Sequence, residues 1–263
     1  MAAGIRFLSG VVEIVGAERQ SLSPLFTDPR PLSPGIDMVL ENLGGAAFAD
    51  DATTPRATLL TLAGYAYFGG DASSDGASVL IGLLDDRWRL IIGDQQWLER
   101  VQSQVSGTTS INRMTFSREA LDIDVLRQRS GVLPDATEIV AVDADIASRM
   151  HLEIENSGFL GVFQTPEAFM AGAMGFVALR GGKVVCGATA ATMSANAVEI
   201  QITTSEAAQR QGLATAVSAA LIVHCLENGL EPHWSTTNEP SRGLAEKLGY
   251  VKDATHQTLV RAS

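Results

Sequence analysis

The sequence predicts a mixed α/β fold, and three features carry that expectation. Between Phe176 and Thr203 three stretches rich in β-formers follow one another, the first two joined by Arg180-Gly181-Gly182-Lys183, a glycine-pair turn of the hairpin kind. Directly after them a helical pattern runs from about Gly212 to Asn228, with apolar residues at 213, 216, 217, 220, 221 and 225 and with Gly229 as its left-handed end. Upstream, strand-like and helix-like segments alternate over a length that suits one enlarged domain or two, at about 150 residues each. We expect an N-terminal α/β region over 1–150 and a C-terminal module over 151–263, the latter a mixed sheet flanked by helices.

Taken in order, Ser21–Asp51 holds Pro24, Pro29, Pro31 and Pro34 and then Asp50-Asp51, which predicts irregular structure with a short helix at Ile36–Asn42. Thr58–Phe68 reads as a strand closed by Gly69-Gly70-Asp71, and Trp88–Ile92 as a second. Gly93-Asp94 opens a helix from Gln95 to about Val105. Arg113–Phe116 is strand-like, and Ser117 reads as the cap of a helix with Glu119 in its first turn and Leu121, Val125 and Leu126 as its apolar stripe. Glu138–Val142 is a strand, Asp143 starts a helix through Met150, and Pro166–Ala171 is another short helix. Beyond the central segment, Pro232–Thr236 is a strand and Pro240–Leu248 a helix ending at Gly249. Tyr250–Lys252 with Thr258–Val260 close the sheet.

Composition narrows the function classes. At 46% hydrophobic and 19% charged the chain has the apolar mass for a core, which excludes disorder as its dominant state. The net charge is −11 with no clustered basic face, so neither nucleic acid nor an anionic membrane is an expected partner. The excess is uneven: residues 170–263 hold seven bases and seven acids, so all of it lies before residue 170. Two cysteines, Cys186 and Cys225, exclude a disulfide scaffold and a thiolate zinc cage, and no histidine has partners at metal-ligand spacing, so no metal is expected. Met1–Gly16 alternates apolar residues with Arg6 and Glu13, and the longest apolar run, Leu213–Leu226, is too short to span a bilayer. A cytoplasmic protein is expected.

The chemically informative segment is Gln209-Arg210-Gln211-Gly212-Leu213-Ala214, which opens a helix directly after a strand. The first amides of a helix lack internal partners and carry the positive end of its dipole, so such an end holds phosphate oxygens when backbone can approach them. Small residues at 212 and 214 suit that approach, although a helix start with a packing glycine gives the same pattern. The C-terminal stretch is more specific. Asn238-x-x-Ser241-x-x-Leu244-Ala245-Glu246-Lys247-Leu248-Gly249-Tyr250, after hairpin, strand, loop, helix and strand, resembles the ending of GNAT acetyltransferases, whose phosphate loop has the form (Arg or Gln)-x-x-Gly-x-(Gly or Ala). Ile202-x-Thr204, Gly212-Leu213-Ala214, Leu221-Ile222 and Pro232-x-Trp234 resemble the branch of that superfamily that includes the zwittermicin A resistance acetyltransferase. The likeness is strong over Phe176–Val260, thinner over 80–175 and absent before about residue 58.

The resemblance implies acetyl-CoA as co-substrate and transfer of its acetyl group to a primary amine of a small molecule. It implies that Ile202 and Thr204 hold the pantetheine arm like an added strand. The backbone of Gln209, Arg210, Gln211, Gly212, Leu213 and Ala214 would cradle the diphosphate, and Asn238, helped by Ser241, would bond near the pantetheine. Glu199, three residues before Ile202, matches the strand-borne glutamate that some of these enzymes use as general base; a partly exposed strand carboxylate is the plainer reading of the same residue. The sequence departs from the family at the usual acid: the tyrosine five residues before the terminal aromatic is Ala245 here. Tyr250 fills the terminal aromatic slot and is expected in the core, as are Tyr65 and Tyr67. His224 reads as a core or boundary residue, and His233, beside Trp234, stands nearer the expected cleft. Ala245 leaves a competing reading open, an acyl-CoA-binding regulatory module without turnover. A nucleotide-binding domain would need an acidic ribose-binding residue after a second parallel strand, and none is suitably placed.

Overall fold

A computed structural model describes residues 5–8, 10–26, 30–154 and 158–261. The chain divides into two compact units, residues 1–113 with 255–263 and residues 114–254. The boundary expected at 150/151 falls within a helix of the second unit, Ala144–Glu153.

The first unit opens with β1 (Ile5–Leu8) and β2 (Val11–Ile14), then a 3-10 segment at Gly16–Leu25 and α1 (Ser33–Leu40). β3 (Ala46–Ala49), β4 (Ala57–Leu62), β5 (Tyr65–Gly70), α2 (Ala77–Gly82), β6 (Leu90–Ile92) and α3 (Gln95–Gln104) come next. Strands β1 to β5 form an antiparallel meander and β6 joins β5 in parallel. The expected irregular stretch 21–51 is therefore largely ordered. The buried Arg19 is one reason, since its guanidinium donates to the carbonyls of Ile14, Val39, Gly44 and Gly45 and ties three segments together. The single strand expected at 58–68 is two, turning at Ala63-Gly64, because alternation continues across a tight turn without a break in hydrophobicity. Asp94 caps α3 through Trp97 N, as its sequence indicated, and Trp97 stacks on Phe68 at 4.7 Å in the core.

β7 (Thr108–Ser117) begins in the first unit and ends in the second. The second unit continues with α4 (Ile123–Ser130), β8 (Thr137–Ala141), α5 (Ala144–Glu153), α6 (Pro166–Gly172), β9 (Gly175–Arg180) and β10 (Lys183–Met193). Then come β11 (Ala197–Thr204), α7 (Leu213–Glu227), β12 (Glu231–His233), β13 (Ser235–Thr236) and α8 (Glu239–Leu248). Its sheet runs β12-β11-β10-β9-β8, antiparallel except for the β11–β12 pair. One face buries Ala188, Ala190, Val198 and Ile200 against α7, whose own residues are apolar nearly all round because α4 covers its far side. The other face packs Val177, Leu179 and Val184 against α5 and α6, with Phe159 and Phe169.

Three local expectations are corrected. Ser117 ends β7, and the cap of α4 is Asp122, which accepts from the amides of Asp124 and Val125. A carboxylate at that position outcompetes the earlier hydroxyl as the helix start. The strand expected at Pro232–Thr236 breaks at Trp234, since β12 pairs with β11 while β13 pairs with Thr115 and Met114 of β7. The two closing pieces near the C-terminus are one strand, β14 (Val251–Arg261), whose end returns to the first unit and pairs antiparallel with β6 at Leu259↔Ile91. The alternation expected at Met1–Gly16 lies partly outside the described residues.

Candidate active site

The break at Trp234 shapes the site. β11 and β12 are in register only at Ala197↔Glu231, Val198↔Pro232 and Glu199↔His233, whereas β11 runs on to Thr204. Trp234 is buried, its indole N–H donates to Ser241 Oγ at 3.2 Å, and the residues after it are drawn into the ladder with β7. The sheet therefore splays beyond Glu199, and Ile202 and Thr204 lie on the stretch of β11 that β12 no longer covers. On its other side β11 stays paired with β10 as far as Thr204↔Cys186, where Thr204 Oγ1 lies 3.0 Å from the sulfur. An edge with unpaired backbone groups receives an extended, amide-bearing ligand as an added strand.

The splayed strand leads into the phosphate-loop candidate. Gln209 is extended, Arg210 and Gly212 both have left-handed φ (59° and 86°), and α7 starts at Leu213 without a side-chain cap. The first helical bond runs from Ala216 N to the Gly212 carbonyl at 3.1 Å, so the amides of Leu213, Ala214 and Thr215 have no partner within the helix. Left-handed residues alternating with ordinary ones gather successive N–H groups into an anion-binding concavity at the positive end of a helix dipole. Gly212 is required by its φ rather than by crowding, because a Cβ there would meet nothing within 4 Å. Gln211 is steadied from the side: Arg180 Nη2 donates to its Oε1 at 2.8 Å, and its Nε2 donates to the Ala207 carbonyl at 3.0 Å. Leu213 turns its side chain into the core, so only its backbone faces the loop.

Asn238 and Ser241 both hold structure. Asn238 caps α8 by accepting from Ser241 N at 2.9 Å, and Ser241 Oγ accepts from Trp234. They fix the start of α8.

Glu199 is not the partly exposed strand carboxylate of the plainer reading, for it is only 3% exposed. It projects on the face opposite α7, since Val198 and Ile200 on either side belong to the α7 core. Ser235 Oγ donates to Glu199 Oε1 at 2.7 Å. Across β10 its partner is Thr192, and across β12 it is His233. The β10 partner is offset by a bulge, with Ala190↔Ile200 and Thr192↔Glu199 leaving Ala191 as the extra residue. Gly161 sits against that bulge so closely that a Cβ would lie 2.4 Å from the Ala191 carbonyl oxygen. His233 carries a hydrogen bond of 3.3 Å to Glu231, itself 2.5 Å from Arg118. Burial pushes the His233 imidazole below its ordinary range and Arg118 pushes the same way, against the opposing pull of Glu231.

Thr192 and Ser235 were not among the residues singled out from the sequence. The hairpin register gave a signal for Thr192, but one extra residue in β10 hides it. Ser235 has none, because its approach depends on the turn at Trp234.

The aromatic residues fall where packing predicts except Tyr65, which is half-buried at the start of β5 rather than in the core. Tyr250 is 2% exposed, its hydroxyl donates to the Pro232 carbonyl at 3.0 Å, and burial raises its pKa well above the ordinary phenol. Ala245 is buried in the same core, Tyr67 is buried in the first unit, and His224 lies against the Phe176 ring at 5.6 Å. Burial pushes the Cys186 and Cys225 thiols up to about 11 and about 12. Among the described residues no three histidine, cysteine or carboxylate side chains gather as metal ligands, and no helix is long and apolar enough to cross a membrane.

Known proteins resemble this chain. A family model described as GNAT acetyltransferase matches residues 24–259. The uncharacterized N-acetyltransferase YdfB of Bacillus subtilis (strain 168) is 26% identical over 264 residues, covering 96% of this chain and 98% of that protein. The crystal structure of a GCN5-related N-acetyltransferase-like protein from Streptococcus suis 89/1591 superposes with a TM-score of 0.81 at 25% identity, covering 94% of this chain and 100% of that one. A GCN5-related N-acetyltransferase from Kribbella flavida shares the fold at a TM-score of 0.56 and 14% identity, over 81% of this chain and 89% of its own.

Proposed function

The chain belongs to the GNAT acetyltransferase family, and on that premise we propose that it moves the acetyl group of acetyl-CoA to a primary amine of a small molecule. The observation that carries this reading is the pairing of the α7 start, whose first amides have no helical partner, with the uncovered edge of β11. The amides and the exposed Arg210 offer a seat for the diphosphate, and the strand edge at Ile202 and Thr204 offers one for the pantetheine arm. An extended arm running along β11 leads toward Glu199.

In this reading Glu199 accepts the proton that the acceptor ammonium must lose. The amine lone pair then attacks the thioester carbon, the C–N bond forms, the C–S bond breaks as the nitrogen gives up its second proton to solvent, and the sulfur leaves as thiolate. A thiol of ordinary pKa near 8.5 is a good leaving group at neutral pH, so no tyrosine acid is needed at the position of Ala245, and solvent supplies the proton. The acidic first two thirds of the chain favours encounter with a cationic acceptor. The likeness to the branch that includes the zwittermicin A resistance acetyltransferase supports an amino-bearing metabolite as that acceptor.

Incubating the protein with acetyl-CoA and a panel of amines, with CoA thiol release as the readout, tests the proposal. Calorimetric binding of CoA together with thiol release on at least one amine is the expected result. Binding with no release under any amine supports the non-catalytic acyl-CoA-binding reading instead, and no heat with CoA removes both.

A further inference from the structure

We propose that Thr192 is a positioning residue that, with Glu199, holds the water through which the acceptor's proton reaches the carboxylate. The inference rests on Glu199 being the base and adds the group that lets a buried base work. Thr192 is fully buried, and its Oγ1 has no hydrogen-bond partner. A buried hydroxyl left unsatisfied costs free energy in the resting fold, so one that persists beside a candidate site calls for a partner supplied during function. Its place is specific: the β10 bulge brings it directly opposite Glu199 in the antiparallel ladder, on the same face of the sheet. Bulges re-aim side chains in this way next to active sites.

Glu199 is too deeply buried for bulk solvent to carry protons to and from it, and Ser235 already donates to one of its oxygens. A trapped water needs two to four polar partners. Thr192 Oγ1, the Glu199 carboxylate and the incoming ammonium provide them. The ammonium N–H gives its proton to this water as the water gives one to Glu199, leaving the amine neutral for attack. The charged and titratable groups around Glu199 are His233 and Glu231 on β12, Arg118 after β7 and Tyr250 before β14. All four stand on the β12 side, away from Thr192, so replacing Thr192 leaves them in place.

The test uses the full chain with Thr192→Val, Thr192→Ser and Glu199→Gln. Valine keeps the shape and removes the orphaned hydroxyl, so the melting temperature stays the same or rises. The expected kinetic result is a fall in kcat of about tenfold, a fraction of the 10²–10⁴-fold that a general base contributes. KM for acetyl-CoA stays unchanged, the acidic limb of the pH–rate profile shifts, and serine restores both rate and profile. A folded Thr192→Val variant with parental kcat and profile overturns the proposal, as does a serine variant as impaired as valine. If Glu199→Gln keeps the parental acidic limb, the base assignment fails and takes this proposal with it. A silent Thr192→Val beside an impaired Glu199→Gln overturns the water relay alone.

Discussion

The two halves of the candidate site are made of different material. The proposed phosphate end, Gln209 to Thr215, is backbone: contiguous in sequence, exposed from Gln209 to Gly212, and shaped by two left-handed residues. The proposed proton-transfer end is side chain: Thr192, Glu199, His233 and Ser235 come from four strands, and Thr192 and Glu199 are buried. The first kind of site arises from local conformation and tolerates most changes of side chain. The second depends on register, so one inserted residue or one broken strand makes or destroys it.

The sharpest way to break the backbone half is Gly212→Glu. It forces an L-residue into φ 86° and brings a carboxylate to a diphosphate seat, and CoA binding is expected to fall at least about 100-fold by calorimetry. Gly212→Ala separates the two causes. With open space around the Cβ, only the left-handed strain remains, at about 1–2 kcal/mol by chemical denaturation. Unchanged affinity in the glutamate variant would show that the amides of this helix start do not bind the ligand.

Tyr250→Phe asks whether the side-chain half extends to the terminal aromatic. Losing the bond to the Pro232 carbonyl should cost about 1 kcal/mol of stability with kcat unchanged. A large loss of rate in a stable variant would make Tyr250 the missing acid.

A smaller effect concerns His233. Its folded pKa lies below the unfolded one, so between the unfolded value, near 6.5, and the lower folded value the unfolded chain binds more protons. Stability is therefore complete above about 6.5 and declines as the pH falls through that window. Thermal melts from pH 7.5 to 5 should show a shallower decline in His233→Gln than in the parent, and parallel declines would place the histidine in solvent.

The smallest expected signal is silence. With both thiols buried and raised to about 11 and about 12, the native protein should leave a thiol reagent unreacted at pH 8. Prompt reaction of either cysteine would show that the core around α7 opens.

Much of the second unit is legible in the chain itself. The hairpin at 181–182, the helix after Gly212, the ends at Gly229 and Gly249, and the helix start at Asp143 each rest on a few neighbouring residues whose dihedral or hydrogen-bonding preferences are strong. The first unit is less so. Its meander turns without interrupting the apolar pattern, and the segment 16–49 is organised by Arg19 reaching carbonyls 20 to 26 residues away, which no local preference reports. The same limit separates the site residues: Gln209 to Ala214 and Glu199 lie in recognisable strings, whereas Thr192 is concealed by the bulge at Ala191 and Ser235 by the break at Trp234.

The amino-acid sequence by itself determined the mixed α/β class, the strand–loop–helix with its free amides, and the absence of a phenol at position 245. These are consequences of residue type acting within one turn or one strand. Only the tertiary structure decided where β12 leaves β11, that Glu199 is buried, and which hydroxyls surround it. Those outcomes depend on which strands pair and in what register, and pairing is settled by the packing of the whole sheet.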